Sequence, residues 1–110
     1  MNTPFIIYSE STPNPAVMKF VANKQLANSS KECLNIEDTQ QGTLLRKLFS
    51  FPFIKEIFIS SNYISIKKHN IVEWSEITNQ IRIFIQEELN TSTPIYKPNS
   101  KPLKNLNNKK

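Results

Sequence analysis

The chain has 110 residues, a single cysteine and a formal net charge of +5. This length supports one domain, and a lone cysteine excludes a disulfide framework and a self-contained metal knuckle. No apolar run approaches the roughly 20 residues of a membrane-spanning helix, and the first residues lack the basic and apolar regions of a secretory signal. We therefore expect a cytoplasmic protein that does not engage a membrane.

The positive charge is concentrated at the end of the chain. Residues 1–90 hold nine basic and nine acidic side chains, so the excess lies in residues 91–110, at Lys97, Lys101, Lys104, Lys109 and Lys110. That segment also holds three prolines and shows no periodicity, which is typical of a flexible linker. The sequence predicts a folded domain over residues 1–90 and a disordered basic tail or linker over residues 91–110.

The N-terminal part of the chain predicts two strands joined by a stiff corner. Residues 5–10 and 17–22 have the Ile, Tyr, Val and Phe content of strands. Between them, Pro13 and Pro15 cannot continue a hydrogen-bonded ladder, and they restrict the residues before them to extended conformations. We expect residues 11–15 to form a rigid, exposed corner.

A third strand and a short helix follow a polar turn. The pattern predicts a strand over residues 31–37, with Leu34 and Ile36 facing the core and Cys33 on the opposite face. Thr43 is a suitable N-cap for a helix that ends before Pro52. The apolar face of this helix is expected to consist of Leu44, Leu45, Leu48 and Phe49.

Residues 54–67 have the pattern of a β-hairpin. Isoleucines alternate with other residues on both arms, and Ser61-Asn62 at the centre suits a two-residue turn because Asn tolerates positive φ. With that turn, four side chains share one face of the sheet, namely Ile57, Ile59, Ile64 and Ile66.

After the hairpin the hydrophobic period changes to that of a helix. Asn70 is the expected N-cap, with Glu73 three residues later in a capping-box arrangement. One apolar stripe runs along the helix and consists of Ile71, Trp74, Ile77, Ile81, Phe84, Ile85 and Leu89.

Together these elements predict an α+β fold. We expect a small, mostly antiparallel sheet of about five strands, in the chain order β-β-β-α-β-β-α, packed on two helices. The residues predicted to form the structural core are Phe20, Phe58, Ile64, Trp74 and Ile81.

No catalytic constellation is visible in the sequence. His69 is the only histidine and precedes the last helix, and nothing in the spacing of His69 and Cys33 supports a nucleophile–base pair. A buried structural thiol is the better interpretation of Cys33. Gly42 is the only glycine, which excludes a glycine-rich phosphate loop. The residues alone therefore indicate a small binding module and not an enzyme.

The stretch Thr12-Pro13-Asn14-Pro15-Ala16-Val17-Met18-Lys19-Phe20 resembles the signature of the N-terminal domain of Nfu/NifU-type iron–sulfur cluster scaffold proteins. Residues 45–49 resemble the short helix of that family, and residues 54–58 its V-x-x-V-F strand. Residues 62–66 are similar to its D-F-I-T-V strand, and Trp74 to the tryptophan that opens the final helix. The resemblance covers roughly residues 5–89. Two glycines that are usual in the family are replaced here by Phe53 and Ser61.

The resemblance implies an accessory domain that recognises iron–sulfur assembly or acceptor proteins. In two-domain members the cluster binds to a separate C-terminal domain with a Cys-x-x-Cys motif, and Cys33 matches no ligand of the family. We therefore expect no metal ligands and no cofactor in this chain alone, with a cluster reached only through a partner or through a further domain.

The expected partner-binding residues lie in and next to the proline corner: Thr12, Pro13, Asn14, Pro15 and Lys19. A rigid exposed corner loses little entropy when it docks, although the same prolines are equally explained as a sterically shaped strand connection. The alternative function is weak, salt-sensitive nucleic-acid binding through the lysine-rich tail.

Overall fold

The computed structural model describes residues 3–97. Five antiparallel strands form one sheet with the spatial order β1-β2-β5-β4-β3, which confirms the predicted α+β class. The strands are β1 (Ile7–Ser11), β2 (Val17–Ala22), β3 (Lys31–Cys33), β4 (Ile54–Ser60) and β5 (Tyr63–Lys68). The helices are α1 (Leu44–Leu48) and α2 (Trp74–Asn90), with a 3₁₀ turn at Ile36–Asp38.

The β4–β5 hairpin has the predicted register. Ile57 pairs with Ile66 and Ile59 with Ile64, and all four side chains are buried. Because side chains alternate along a strand, this register gives the sheet one apolar face. Both helices pack on that face, where the core lies. Phe20, Ile64, Trp74 and Ile81 are all buried in it.

Helix α2 begins later than the sequence predicted. The cap is Glu73, whose backbone is extended, and the carboxylate of Glu76 accepts a hydrogen bond from the Glu73 N–H at 3.1 Å. The prediction that Asn70 caps this helix is therefore wrong. Ile71 lies before the helix and is 66% exposed, so it does not belong to the buried stripe. The remaining stripe is present, with Phe84 only half-buried at its edge.

Strand β3 is shorter than predicted, and its faces are reversed. Cys33 pairs with Ile57 and is fully buried, whereas Leu34 is 53% exposed. The strand ends there because side chains bind the next backbone groups. The Asp38 carboxylate accepts from the Leu34 N–H at 2.9 Å, and Asn35 caps the 3₁₀ turn. These local hydrogen bonds compete successfully with the sheet ladder.

Phe58 does not belong to the core, contrary to the expectation from the sequence. Its neighbours Ile57 and Ile59 face the helices, so Phe58 lies half-buried on the opposite face of the sheet. There its ring lies 6.2 Å from that of Tyr63, measured between centroids.

The first residues after α2 contact helix α1. The N–H groups of Leu44 and Leu45 donate to the carbonyl oxygens of Pro94 and Ile95, at 2.8 and 3.2 Å. Ile95 and Tyr96 also pack against the core. Ile95 and Tyr96 thus contact the domain from within the segment that the sequence assigned to the tail. Lys101, Lys104, Lys109 and Lys110 lie outside the described residues, and the division at residue 90 stays a prediction.

Within residues 3–97, neither helix is long and apolar enough to span a membrane.

Candidate partner-binding surfaces

The corner between β1 and β2 is held by its own hydrogen bonds as well as by its prolines. The Thr12 hydroxyl lies 2.9 Å from the carbonyl oxygen of Asn14 and 3.1 Å from that of Val17, and it accepts from the Asn14 N–H. The Asn14 side-chain oxygen accepts from the Ala16 N–H at 2.9 Å. Pro13, Asn14 and Pro15 are exposed. The corner therefore presents a fixed surface that loses little entropy on docking.

Lys19 lies on a different surface from the corner. It alternates with core residues Met18 and Phe20, so it points to the side of the sheet away from the helices. Its ammonium lies 4.3 Å from the centroid of the Tyr63 ring, within cation–π distance. The five candidate residues thus divide into an exposed corner and one lysine on the sheet.

Neither helix of the described part of the chain packs on the face of the sheet that carries Lys19. One row of paired residues crosses all five strands there: Glu10, Lys19, Ser65, Phe58 and Glu32. Beside it run Tyr8, Val21 and Tyr63, of which Tyr8 is 55% exposed, Tyr63 is half-buried and Val21 is buried. We call this surface the open face. The sequence does not reveal this row, because the row depends on the order of the strands in the sheet.

A cavity of about 300 Å³ lies between the corner and the start of helix α2. The residues that line it are Asn14, Pro15, Ala16, Lys68, Asn70 and Glu73. We call it the corner cavity. It brings the last two residues of the predicted corner, Asn14 and Pro15, together with Lys68 at the end of β5, a proximity that sequence spacing alone does not predict.

Cys33 is unsuited to act as an exchangeable ligand or nucleophile. Its side chain is fully buried, and this burial raises the pKa of the thiol above its ordinary value. His69 is exposed and follows β5, which β4 separates from β3, the strand that carries Cys33. Among residues 3–97, no group of three or more His, Cys, Asp and Glu side chains is placed to hold a metal ion.

These features define a class of protein: a small α+β domain with one uncovered sheet face and a rigid corner, without an assembled catalytic group in its described part. The family is then given by comparison. A model of the scaffold protein Nfu/NifU N-terminal family matches residues 7–92. The chain belongs to this family, as its proline corner and the downstream tryptophan suggested.

Two curated relatives agree with this assignment. A NifU-like protein of Schizosaccharomyces pombe is 28% identical over 101 residues, which cover 89% of this chain and 38% of the relative. A mitochondrial protein of Drosophila persimilis, named as an NFU1 iron–sulfur cluster scaffold homolog, is 27% identical over 95 residues. These residues cover 81% of this chain and 32% of the relative. The chain thus spans about a third of the length of these relatives.

Two solved structures share the fold. The solution structure of a NifU-like protein from Saccharomyces cerevisiae matches with a TM-score of 0.73 at 20% identity, covering 90% of this chain and 92% of that one. The crystal structure of protein SAV1430 from Staphylococcus aureus matches with a TM-score of 0.59 at 20% identity, covering 76% and 99%. At this identity the matches establish the architecture alone.

Proposed function

We propose that this chain is an accessory, partner-recognition domain in iron–sulfur cluster assembly or delivery, and that it does not ligate a cluster itself. The family and the name of the Drosophila relative support the pathway. The proposal that the chain does not ligate a cluster rests on the burial of Cys33. A fully buried thiol with a raised pKa is a poor source of the thiolate that clusters require.

The proposal is one of binding without catalysis. A cluster is then cargo, held by a partner protein or by a separate domain, and this chain contributes contacts. We place the protein in the cytoplasm, as the sequence predicts, although one relative is named as mitochondrial. The proposed partners are iron–sulfur assembly or acceptor proteins.

The proposed contact residues are Thr12, Pro13, Asn14, Pro15 and Lys19. The corner is supported by its exposure and by the internal hydrogen bonds of Thr12 and Asn14. The open face around Lys19 is supported by its exposed Tyr8 and by the packing of both helices on the opposite face. A partner that touches both would contact one end and one side of the sheet.

The absence of a cluster site is tested by anaerobic reconstitution with iron and sulfide. The expected result is a colourless protein, with Cys33→Ser behaving like the parent, while a scaffold with a Cys-x-x-Cys motif takes up a cluster in parallel. A brown protein with stoichiometric iron and sulfide, lost on Cys33→Ser, would make the chain a ligating scaffold and overturn the proposal.

Partner recognition is tested by titrating the ¹⁵N-labelled chain with an iron–sulfur assembly protein and with an acceptor apoprotein. We expect amide shifts that cluster at the corner or on the open face. Lys19→Met should weaken the complex more than Lys55→Met, which removes the same charge from an exposed lysine outside the proposed contact residues. Shifts from neither protein would count against the function itself.

A further inference from the structure

Lys68 is a buried lysine without a partner among the described residues. It continues the alternation of Ile64 and Ile66 on β5 and pairs with Ile54, so its side chain lies on the helix side of the sheet. Only 7% of the residue is exposed. Within residues 3–97 its ammonium makes no hydrogen bond or ion pair, and the one ion pair there joins Lys47 to Glu88. The stem of Lys68 is thus buried, while its ammonium is not fully enclosed and can pair with a group from outside the domain.

The space next to Lys68 is the corner cavity. Asn14 lines this cavity, and because its side-chain oxygen is engaged by the Ala16 N–H, its amide N–H groups remain available as donors. Asn70 adds a second amide. The cavity also adjoins the N-terminus of the 17-residue helix α2, where the helix dipole favours negative charge. The corner, the end of β5 and the start of α2 therefore each supply positive potential or hydrogen-bond donors to the corner cavity.

One group in the cavity acts in the opposite direction. Glu73 lines it and carries a negative charge, and it forms the capping box of the helix with Glu76, whose carboxylate accepts from the Glu73 N–H. A single ammonium opposed by one carboxylate leaves little net charge, which disfavours a doubly charged phosphate more than a singly charged carboxylate. The volume of about 300 Å³ accommodates one small side chain or a chain terminus.

We propose that the corner cavity binds a carboxylate group of the partner protein, with Lys68 as its counter-ion and with the amides of Asn14 and Asn70 as donors. This inference rests on the proposed role in partner recognition and names the chemistry that the partner presents. The carboxylate comes either from an Asp or Glu side chain or from the chain terminus. It gives Lys68 an ion pair that residues 3–97 do not supply.

The test uses the full chain, ¹⁵N-labelled, and three short N-acetylated peptides of one neutral sequence. The first is C-terminally amidated, the second is amidated with one Asp introduced, and the third has a free C-terminus. We expect the second or the third, and not the first, to shift the amide signals of Ala16, Lys68, Asn70 and Glu73. Whichever binds identifies the source of the carboxylate. Equal binding of all three, or binding of none, would overturn the proposal.

Variants assign the effect to Lys68. Lys68→Met keeps most of the buried stem and should weaken carboxylate binding about tenfold or more. The matched control is Lys67→Met, which removes the same charge from the other side of the sheet and should change the affinity less than about twofold. Glu73→Gln removes the opposing charge and should strengthen binding. Equal losses in Lys67→Met and Lys68→Met would contradict a specific site.

A second variant and a second titration separate loss of the site from loss of folding or of the proposed function. If Lys68→Met lowers the thermal midpoint, Lys68→Gln, which retains a polar end, takes its place in the titration. The same variants are also titrated with an iron–sulfur assembly protein. Unchanged partner binding together with no peptide binding would refute the carboxylate site and leave the proposed function standing. Peptide binding by a chain that binds no iron–sulfur protein would support the carboxylate site and count against the proposed function.

Discussion

The indole ring of Trp74 packs against the phenyl ring of Phe20 in an edge-to-face arrangement, with 5.9 Å between the centroids and 61° between the ring planes. This contact joins the first residue of α2 to the middle of β2. Both residues are buried, and the Trp74 indole N–H has no hydrogen-bond partner within the described residues. The first turn of the helix is therefore fixed on the sheet by packing, at the cost of one unpaired donor.

Replacing Trp74 should separate these two contributions. Trp74→Ala removes a large buried ring and should lower the free energy of unfolding by about 3–5 kcal/mol. Trp74→Phe keeps an aromatic contact with Phe20 and removes the unpaired N–H, so we expect a loss of less than about 2 kcal/mol. Urea unfolding followed by circular dichroism measures both. Ile83→Ala, at a 43% exposed position of the same helix, is the control. Equal effects of Ile83→Ala and Trp74→Ala would contradict the packing.

Ser61→Gly should stabilise the protein. Ser61 has a φ of +52° in the hairpin turn, and a side chain at positive φ is strained, whereas Gly is not. The Ser61 carbonyl accepts from the N–H groups of Leu26 and Ala27, at 2.7 and 3.0 Å, and Gly keeps both bonds. We expect a gain of about 0.5–1 kcal/mol, measured by urea unfolding. Ser60→Gly, on the neighbouring strand residue, should instead destabilise, and the opposite order would refute the strain.

Two truncations distinguish the packed segment from the basic tail. Removal of residues 91–110 takes away the carbonyl acceptors for Leu44 and Leu45 and the apolar contacts of Ile95 and Tyr96. We expect the thermal midpoint to fall by roughly 8 °C or more. Removal of residues 98–110 takes away four of the five lysines of the tail, and here we expect the midpoint to stay nearly unchanged. If both truncations gave the parent midpoint, the contacts of residues 91–97 would contribute nothing.

The ion pair between Lys47 and Glu88 should make stability depend on pH. The hydrogen bond from Lys47, at 2.9 Å, and then that from Thr93 lower the pKa of Glu88 below its ordinary value. The folded state therefore favours the ionised carboxylate. The contribution of the ionised Glu88 carboxylate to the free energy of unfolding is fully present above the ordinary pKa of a glutamate. It is lost as the pH falls through the lowered pKa of Glu88.

For this surface pair we expect less than about 1 kcal/mol at neutral pH. The difference in unfolding free energy between the parent and Glu88→Gln should shrink as the solution is acidified. A double-mutant cycle with Lys47→Met isolates the pair, and its coupling should also fall at high salt. A coupling that grows on acidification would contradict a lowered pKa of Glu88 in the folded state.

Local sequence signals predicted the elements whose stability is local. The isoleucine alternation gave the register of the β4–β5 hairpin, because a slip of one residue would turn every apolar side chain outward. Thr43 capped α1 as expected, with its hydroxyl accepting from the Arg46 N–H. At β3 and at the start of α2, short-range hydrogen bonds by Asp38 and Glu76 overrode the apolar pattern. The hydrophobic periodicity of a sequence does not show where a side chain will compete with the backbone hydrogen bonds of a strand or helix.

The amino-acid sequence by itself determined the fold class, the family resemblance and the rigid corner, since each rests on local patterns in the order of residues along the chain. Only the tertiary structure decided which residues form surfaces. Strand order assembled the row from Glu10 to Glu32 on the open face, and the pairing of Cys33 with Ile57 enclosed the thiol. The approach of the corner to α2 placed Lys68 beside Asn14. These relationships join residues far apart in the chain, and only packing of the sheet against the helices fixes them.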